Sequence, residues 1–441
     1  MSHNVQSHVQ DILRQHDDLM LAIASGRYEW IARLMRAAVV QPRAGQLTLT
    51  DRIDRVVAHP FWGLAVLTAV LGLLFWLTYA LGSPVQTWME KSLLQAAAVW
   101  LQGVLGSAPA WLRGLAVDGI LTGVGSVLTL LPILLIFFAA FSTLEDVGYM
   151  ARAAFVMDRF MHKLGLHGQS FLPLFLGFGC NVPAVMGTRI IDSPKARLAT
   201  ILITPLVPCT ARLAVITMLA PIFFGAQAAW VALGLVILSL LVMIGMGMLL
   251  HRWILVGEQR AFIMELPLYH FPNPRTIAIS VWARLLDFFK MAGSIILVVS
   301  ILLWAFSHYP GGSIQTSYLA MLGRMMAPLG SWMGLEWPML VALLASFIRK
   351  ENTIPTLAVL YGGAQNVGLA AALSGHLVPA AALAFLAVQV LFIPCLATLA
   401  TIRQETRSWR WTLTSLVLLL VISMSAGVLI YQGARLLGSG V

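Results

Sequence analysis

The chain has 441 residues, of which 59% are apolar and only 10% charged. Soluble domains carry about a quarter charged residues, so a multidomain water-soluble enzyme is excluded, and a mean hydropathy of +0.86 over the whole length points to a polytopic membrane protein. The net charge of +10 belongs, in such a chain, to cytoplasmic loops, so no nucleic-acid partner is expected. Three cysteines, an odd number, argue against a disulfide framework, and the N-terminus lacks the apolar stretch of a cleaved signal peptide.

Residues 1–60 read as a cytoplasmic amphipathic segment. Ile12, Leu19, Ile23, Trp30, Ile31 and Leu34 recur at near-helical spacing, and Arg27, Arg33 and Arg36 suit either anionic lipid or a plain solvated face. Thr50 to Asp54 then looks like a cap opening a short helix. Membrane spans are predicted at 62–82, 118–142, 198–224, 228–250, 291–307, 377–402 and 412–434, most reaching the ~20 apolar residues that cross a bilayer. The stretch 84–106 carries Glu90 and Lys91 and is placed at the outer surface. Two further apolar stretches, 170–187 and 338–362, are interrupted by Gly, Pro, Asn or charge, as re-entrant or discontinuous helices are. The chain so divides into a first transmembrane half (61–250), a cytoplasmic connector (251–290) and a second half (291–441).

With the N-terminus inside, 21 Lys and Arg fall in inside connections and 4 in outside ones, leaving Arg212, Arg349 and Lys350 at membrane depth. This is the positive-inside bias, and it requires both interrupted stretches to return to the side they came from. Residues 118–224 and 291–402 then form two repeats of opposite orientation. Gly179-Cys180-Asn181-Val182-Pro183 answers Glu351-Asn352-Thr353-Ile354-Pro355, and Val207-Pro208-Cys209 answers Ile393-Pro394-Cys395. The expected fold is an all-α polytopic membrane protein of two inverted gate-type repeats, with the substrate at their interface.

Chemistry concentrates at the interruptions. All three cysteines lie there: Cys180 before Pro183, Cys209 after Pro208, Cys395 after Pro394. A single buried cysteine is ordinarily packing; a thiol at every break, with Asn181 beside the first, suggests ligands for a borderline-soft metal such as Fe, Zn or Cu. Ionisable groups at membrane depth are functional candidates by default, which selects Glu351, flanked by Arg349 and Lys350, with Asn352 next to it. Glu145 and Asp146 stand at a span's cytoplasmic end, where an interfacial role competes. Arg212 is expected to pair with a carboxylate or with helix-end carbonyls. None of the five lysines follows a glycine, so a phosphate-binding Gly-Lys loop is excluded and the chain is expected to be a transporter, not an enzyme. His162 and His167 show no zinc spacing and read as solvated.

At these positions the sequence resembles the membrane domain of the ferrous iron transport protein B family. The stretches that carry the likeness are Leu144 to Arg152, Gly177 to Ala184 and Cys209 to Leu213, with Met264 to His270 and Pro394-Cys395 plus Glu405 in support. The resemblance runs from about residue 25 to the C-terminus. It implies a multi-pass inner-membrane permease importing Fe²⁺, with Cys180, Cys209 and Cys395 as pathway residues and Glu145, Asp146 and Glu351 as carboxylate candidates; Asn181 and Asn352, beside Cys180 and Glu351, complete the candidate metal-contacting set. Fe²⁺ enters as transported substrate, and no tightly bound cofactor is expected. The sequence departs from the family in two places. The GTPase domain that members usually carry N-terminally is missing, so the implied partners include a separate GTPase subunit, besides a small accessory protein, further copies of the chain and the lipid bilayer. The second interruption reads Lys350-Glu351-Asn352-Thr353 where many members have Lys-Glu followed by Val and Gly, which leaves the choice among Fe²⁺, Mn²⁺ and Zn²⁺ open. The alternatives are a gate-type permease for an organic solute such as a nucleoside, and a non-transporting membrane scaffold.

Overall fold

The computed structural model describes residues 19–38, 49–59, 61–163, 168–254, 268–311, 314–362 and 378–436. Ile12, His167 and Met264 to Pro267, all named above, lie outside them. The chain separates into two units, Met1–Ile53 and Asp54–Val441. The smaller holds α1 (Leu19–Ala38), whose Trp30, Ile31 and Leu34 are exposed and whose Arg33 pairs with Glu29 one turn earlier at 2.7 Å. Helix α2 (Leu49–Val57) follows, and Thr50 to Asp54, expected to open it, lie within it.

All regular structure among the described residues is helical, and five helical runs are long and apolar enough to cross a membrane. The first corrects the expected boundary at 82. Helix α3 (Trp62–Met89) continues through a π turn (Glu90–Leu94) into α4 (Gln95–Val104). At 1.5 Å per residue this 43-residue run is about 65 Å long, roughly twice a bilayer's hydrocarbon thickness. Glu90 and Lys91 sit on the π turn and do not end the helix. Helix α5 (Ala110–Gly114), a second π turn (Leu115–Leu121) and α6 (Thr122–Asp146) make the next run, followed by α7 (Tyr149–Lys163). Helix α6 lies against α3, with Gly82 so close to Ile133 that a side chain there would collide.

Both interrupted stretches are hairpins. Helices α8 (Phe171–Gly179) and α9 (Asn181–Gly187) have nine and seven residues, far short of a span. Gly187, at the end of α9, comes back beside Leu176 and Pro173 near the start of α8. In the second hairpin α16 (Trp337–Ile348) leads through a 3₁₀ turn (Lys350–Asn352) into α17 (Thr353–Gly362). The Tyr361 hydroxyl, near the end of α17, donates to Glu336 at the start of α16 at 3.2 Å.

Two expected spans are each split midway. Helix α10 (Pro194–Ile203), started by the Ser193 cap and Pro194, runs into a 3₁₀ turn (Thr204–Leu206) and stops; after Val207-Pro208-Cys209 the chain resumes as α11 (Thr210–Phe224). Later α18 (Pro379–Leu391) stops, and after Phe392 to Cys395 the chain resumes as α19 (Leu396–Thr406). Proline lacks the N–H that would continue the ladder and disfavours helical backbone in the residue before it. Between these elements lie α12 (Ala228–Ile254), α13 (Pro274–Phe288), a π turn (Phe289–Gly293), α14 (Ser294–His308) and α15 (Tyr318–Ser331). Helix α20 (Trp409–Leu436) closes the chain against α18. Helix α18 is buried on every side, its Ala384, Phe385, Val388 and Leu391 inaccessible.

Candidate permeation site

The four breaks meet. Cys180 and Asn181 from the first hairpin, Cys209 and Thr210 from the split span, Arg349 to Glu351 from the second hairpin, and Pro394-Cys395 with Thr398 line one cavity of about 790 Å³, its open mouth included. The backbone builds it in the same way each time. Cys180 (φ −153°, ψ 132°) and Arg349 (φ −143°, ψ 132°) are single extended residues between two helices. Cys209 and Cys395, each after a proline, are extended and precede the first turn of α11 and α19. Each cysteine is therefore the N-cap residue of a helix, held at the mouth of a break. Gly179 is required at the first, because a side chain there would enter the ring of Phe137.

Opened backbone in a membrane leaves carbonyls that no water serves, and the buried cations serve them. Arg212 is wholly inaccessible. Its guanidinium donates to the Pro205 carbonyl at 2.6 Å and, 180 residues away in sequence, to the Phe392 carbonyl at 2.6 Å. Lys350 donates to the Ile393 carbonyl at 2.7 Å. Both positive groups thus close the end of α18, where a cation also complements the helix dipole. The Thr210 hydroxyl donates to the Gly179 carbonyl at 3.0 Å, tying the end of α8 to the start of α11. Of the two pairings expected for Arg212, the structure has the one with helix-end carbonyls. Lys350, expected beside Glu351, turns instead to the carbonyl, and Arg349 alone faces Glu351, at 3.6 Å.

The groups left over for a substrate are the three thiols, the Glu351 carboxylate and Asn181. The thiols are unbridged and partly buried, with Cys395 Sγ 3.2 Å from Thr398 Oγ1. Asn181 Oδ1 is buried with no hydrogen-bond partner, an oxygen free to meet a ligand. Among the described residues no three His, Cys, Asp or Glu side chains are gathered closely enough to hold a metal ion. Asn352 follows Glu351 in the same turn without lining the cavity. Glu145 and Asp146 are elsewhere, at the end of α6. Glu145 accepts from Arg284 at 2.6 Å, and Asp146 accepts the Asn273 N–H at 2.7 Å.

Sequence reading missed the ties that hold this end of the molecule. Arg152, inaccessible, grips Asp54 through two hydrogen bonds of 2.6 and 3.0 Å and lies 3.9 Å from the centre of the Tyr269 ring. Glu405 accepts from both Arg189 and Arg197, joining the end of α19 to the base of the first hairpin and the start of α10. An acid or base at a helix end was the available signal; its partner, 98 or 216 residues away, was not.

Two family models match the chain: one described as nucleoside recognition, of gate type, over residues 127–223 and 289–409, and the ferrous iron transport protein B C terminus over residues 232–284. The second lies in the gap between the two segments of the first, so together they run across both hairpins and all four breaks. The chain belongs to the ferrous iron transport protein B family. Members similar to it include a Fe(2+) transporter FeoB of Methanocaldococcus jannaschii, 34% identical over 97% of this chain and 65% of the relative. One from Staphylococcus aureus is 34% identical over 92% of this chain and 62% of its own length. A Fe(2+) transport protein A/Fe(2+) transporter FeoB fusion protein of Porphyromonas gingivalis is 32% identical over 93% of this chain and 54% of its own length. The chain thus spans between about half and two thirds of these family members. No solved structure matches it significantly.

Proposed function

We propose that the chain is the permease part of a Fe²⁺ uptake system, and that the cavity at the four breaks is where the ion passes. The observation that carries this reading is that Cys180, Cys209 and Cys395, from three separate breaks, line one cavity, in a family whose similar members are named Fe(2+) transporters. Thiolate prefers borderline-soft ions such as Fe²⁺ and Zn²⁺ to Mg²⁺ or Ca²⁺. Arriving metal displaces the thiol protons, and Glu351 and Asn181 Oδ1 add oxygen donors. Arg212 and Lys350 brace the breaks through their bonds to the Pro205, Phe392 and Ile393 carbonyls and, having no lone pair to offer, do not act as ligands. The two hairpin-bearing segments act as repeats of opposite orientation, with the N-terminus and the Arg189 face in the cytoplasm of a multi-pass inner-membrane protein, in keeping with the charge bias of the connections.

Nucleotide dependence, in this reading, is supplied by a GTPase partner, and the Fe(2+) transport protein A fused in the Porphyromonas gingivalis relative suggests a second partner. The test is uptake of radiolabelled Fe²⁺ into liposomes containing the purified chain, with Mn²⁺, Zn²⁺ and a nucleoside as competitors. Saturable uptake blocked by Zn²⁺ or Mn²⁺ but not by the nucleoside supports the proposal. Competition by the nucleoside alone returns the site to the organic-solute reading.

A further inference from the structure

Next to the cysteine cavity lies a second one of about 750 Å³, its open mouth included, lined by Phe141, Met186, Glu145, Arg284 and Asp287 among others. The Glu145 side chain, on its wall, is 44% exposed, so this vestibule reaches the surface at the end of α6 where Glu145 and Arg284 pair. The two cavities have only two lining residues in common, Val182 of α9 and Phe288 of α13. Both are almost fully buried, Val182 at 2% and Phe288 at 6% exposure. An apolar constriction of this kind blocks a hydrated ion, because the ion must shed water to pass and gains no ligand in return.

Phe288 is also the last residue of α13, directly before the π turn Phe289–Gly293. The Phe289 N–H bonds the carbonyls of Leu285 and Leu286, so the α-helical ladder is intact up to the residue that opens the π turn. A π turn holds one surplus residue and recurs at functional positions in helices. Moving that surplus by one residue along the helix turns the side chain it passes by about 100°.

We infer that Phe288, which with Val182 lines both cavities, is the plug between the cysteine cavity and the Glu145 vestibule, and that the π turn behind it is the hinge that swings it aside. The inference rests on the reading of the cavity as a permeation site, but its test needs no metal. The chain with its three native thiols is placed in sealed vesicles of either orientation and treated with a charged, membrane-impermeant thiol reagent. Modification of Cys180 is followed by peptide mass spectrometry. Phe288→Ala should speed labelling from the Glu145 side at least tenfold and leave the rate from the opposite side unchanged, with Phe288→Leu between it and the parent. Phe288→Trp should slow it. Unchanged labelling in Phe288→Ala, acceleration from both sides, or faster labelling in Phe288→Trp would overturn the plug. Failure of Fe²⁺ uptake with the labelling contrast intact would leave the plug standing and remove only the ion's identity.

Discussion

The guanidinium of Arg212 joins two breaks that are far apart in sequence, donating at 2.6 Å to the carbonyl of Phe392 while it holds Pro205 on its own side. Each half of the molecule therefore supplies a carbonyl to the same buried cation, and the cavity between the breaks keeps its width by this strut. Arg212→Ala strands two carbonyls that water cannot reach, each costing about 1–3 kcal/mol. We expect poor folded yield and a markedly lower unfolding temperature in detergent, read from the intrinsic fluorescence of the 14 tryptophans. Arg212→Lys should recover only part of the loss, since a single ammonium lacks the planar fork that reaches both carbonyls. Wild-type stability in Arg212→Ala would show that the strut carries no load.

Where the chain would break was readable in advance because the causes are local. Pro208 and Pro394 lack a donor, Gly179 makes room beside Phe137, and Lys350-Glu351 cannot continue an apolar helix. The hairpin form followed from charge counting, and the return of Gly187 to Pro173 and of Tyr361 to Glu336 agrees with it. Partner choice was not readable. Lys350 sits beside Glu351 in sequence, yet a buried carbonyl at Ile393, 43 residues on, claims it, because an unserved carbonyl in a membrane costs more than a longer ion pair returns. The length of the first helix was misjudged for the opposite reason. The span was expected to end at 82, with 84–106 at the outer surface because it carries Glu90 and Lys91, but both side chains stand exposed on the π turn and the helix continues through them.

The thiols should be separable from the scaffold. Cysteine to serine at 180, 209 or 395 keeps a small polar N-cap residue, and serine is a favourable one, so each variant should fold. Serine does not bind as a soft anion. We expect each single variant to lose metal affinity by about tenfold or more and the triple variant to lose uptake altogether. Co²⁺ serves as a stand-in whose thiolate absorption band reports the ligand directly. A band that persists undiminished in the triple variant would place the metal elsewhere.

Glu405 should matter for the shape of the basic face. Its side chain is 4% exposed and accepts from Arg189 and from Arg197, and the hydrogen bond to Glu405 pushes the Arg189 guanidinium above its ordinary value. Glu405→Gln retains the shape but removes the charge. Because the Arg189 side chain is 52% exposed and solvent screens it, the cost should stay near 1–2 kcal/mol, with local loosening at the base of the first hairpin. Hydrogen exchange should rise at the Thr188–Ile190 turn and at the end of α19 while α18 stays protected. Uniform exchange across both would contradict a local clamp.

Glu351 is the acid whose role the structure sharpens most. It lies in the 3₁₀ turn at the tip of the second hairpin, a third exposed, with Arg349 at 3.6 Å as its ion-pair partner. The tip itself is anchored without it. Lys350 is fixed on Ile393, and Thr353 closes the turn by donating to the Lys350 carbonyl at 2.9 Å and accepting from Gln389 at 2.8 Å. The charge of Glu351 is therefore available to a cation entering the cavity, which would replace Arg349 as its partner and free the arginine. Glu351→Gln preserves shape and most hydrogen bonding, so folded yield and unfolding temperature should match the parent while Fe²⁺ uptake falls by about tenfold, the cost of one lost charge-assisted contact of roughly 1.4 kcal/mol. Lys350→Met should do the reverse and damage folding first, because it strands the Ile393 carbonyl. If Glu351→Gln carries Fe²⁺ at the parental rate, the carboxylate only neutralises Arg349 and takes no part in the ion's passage.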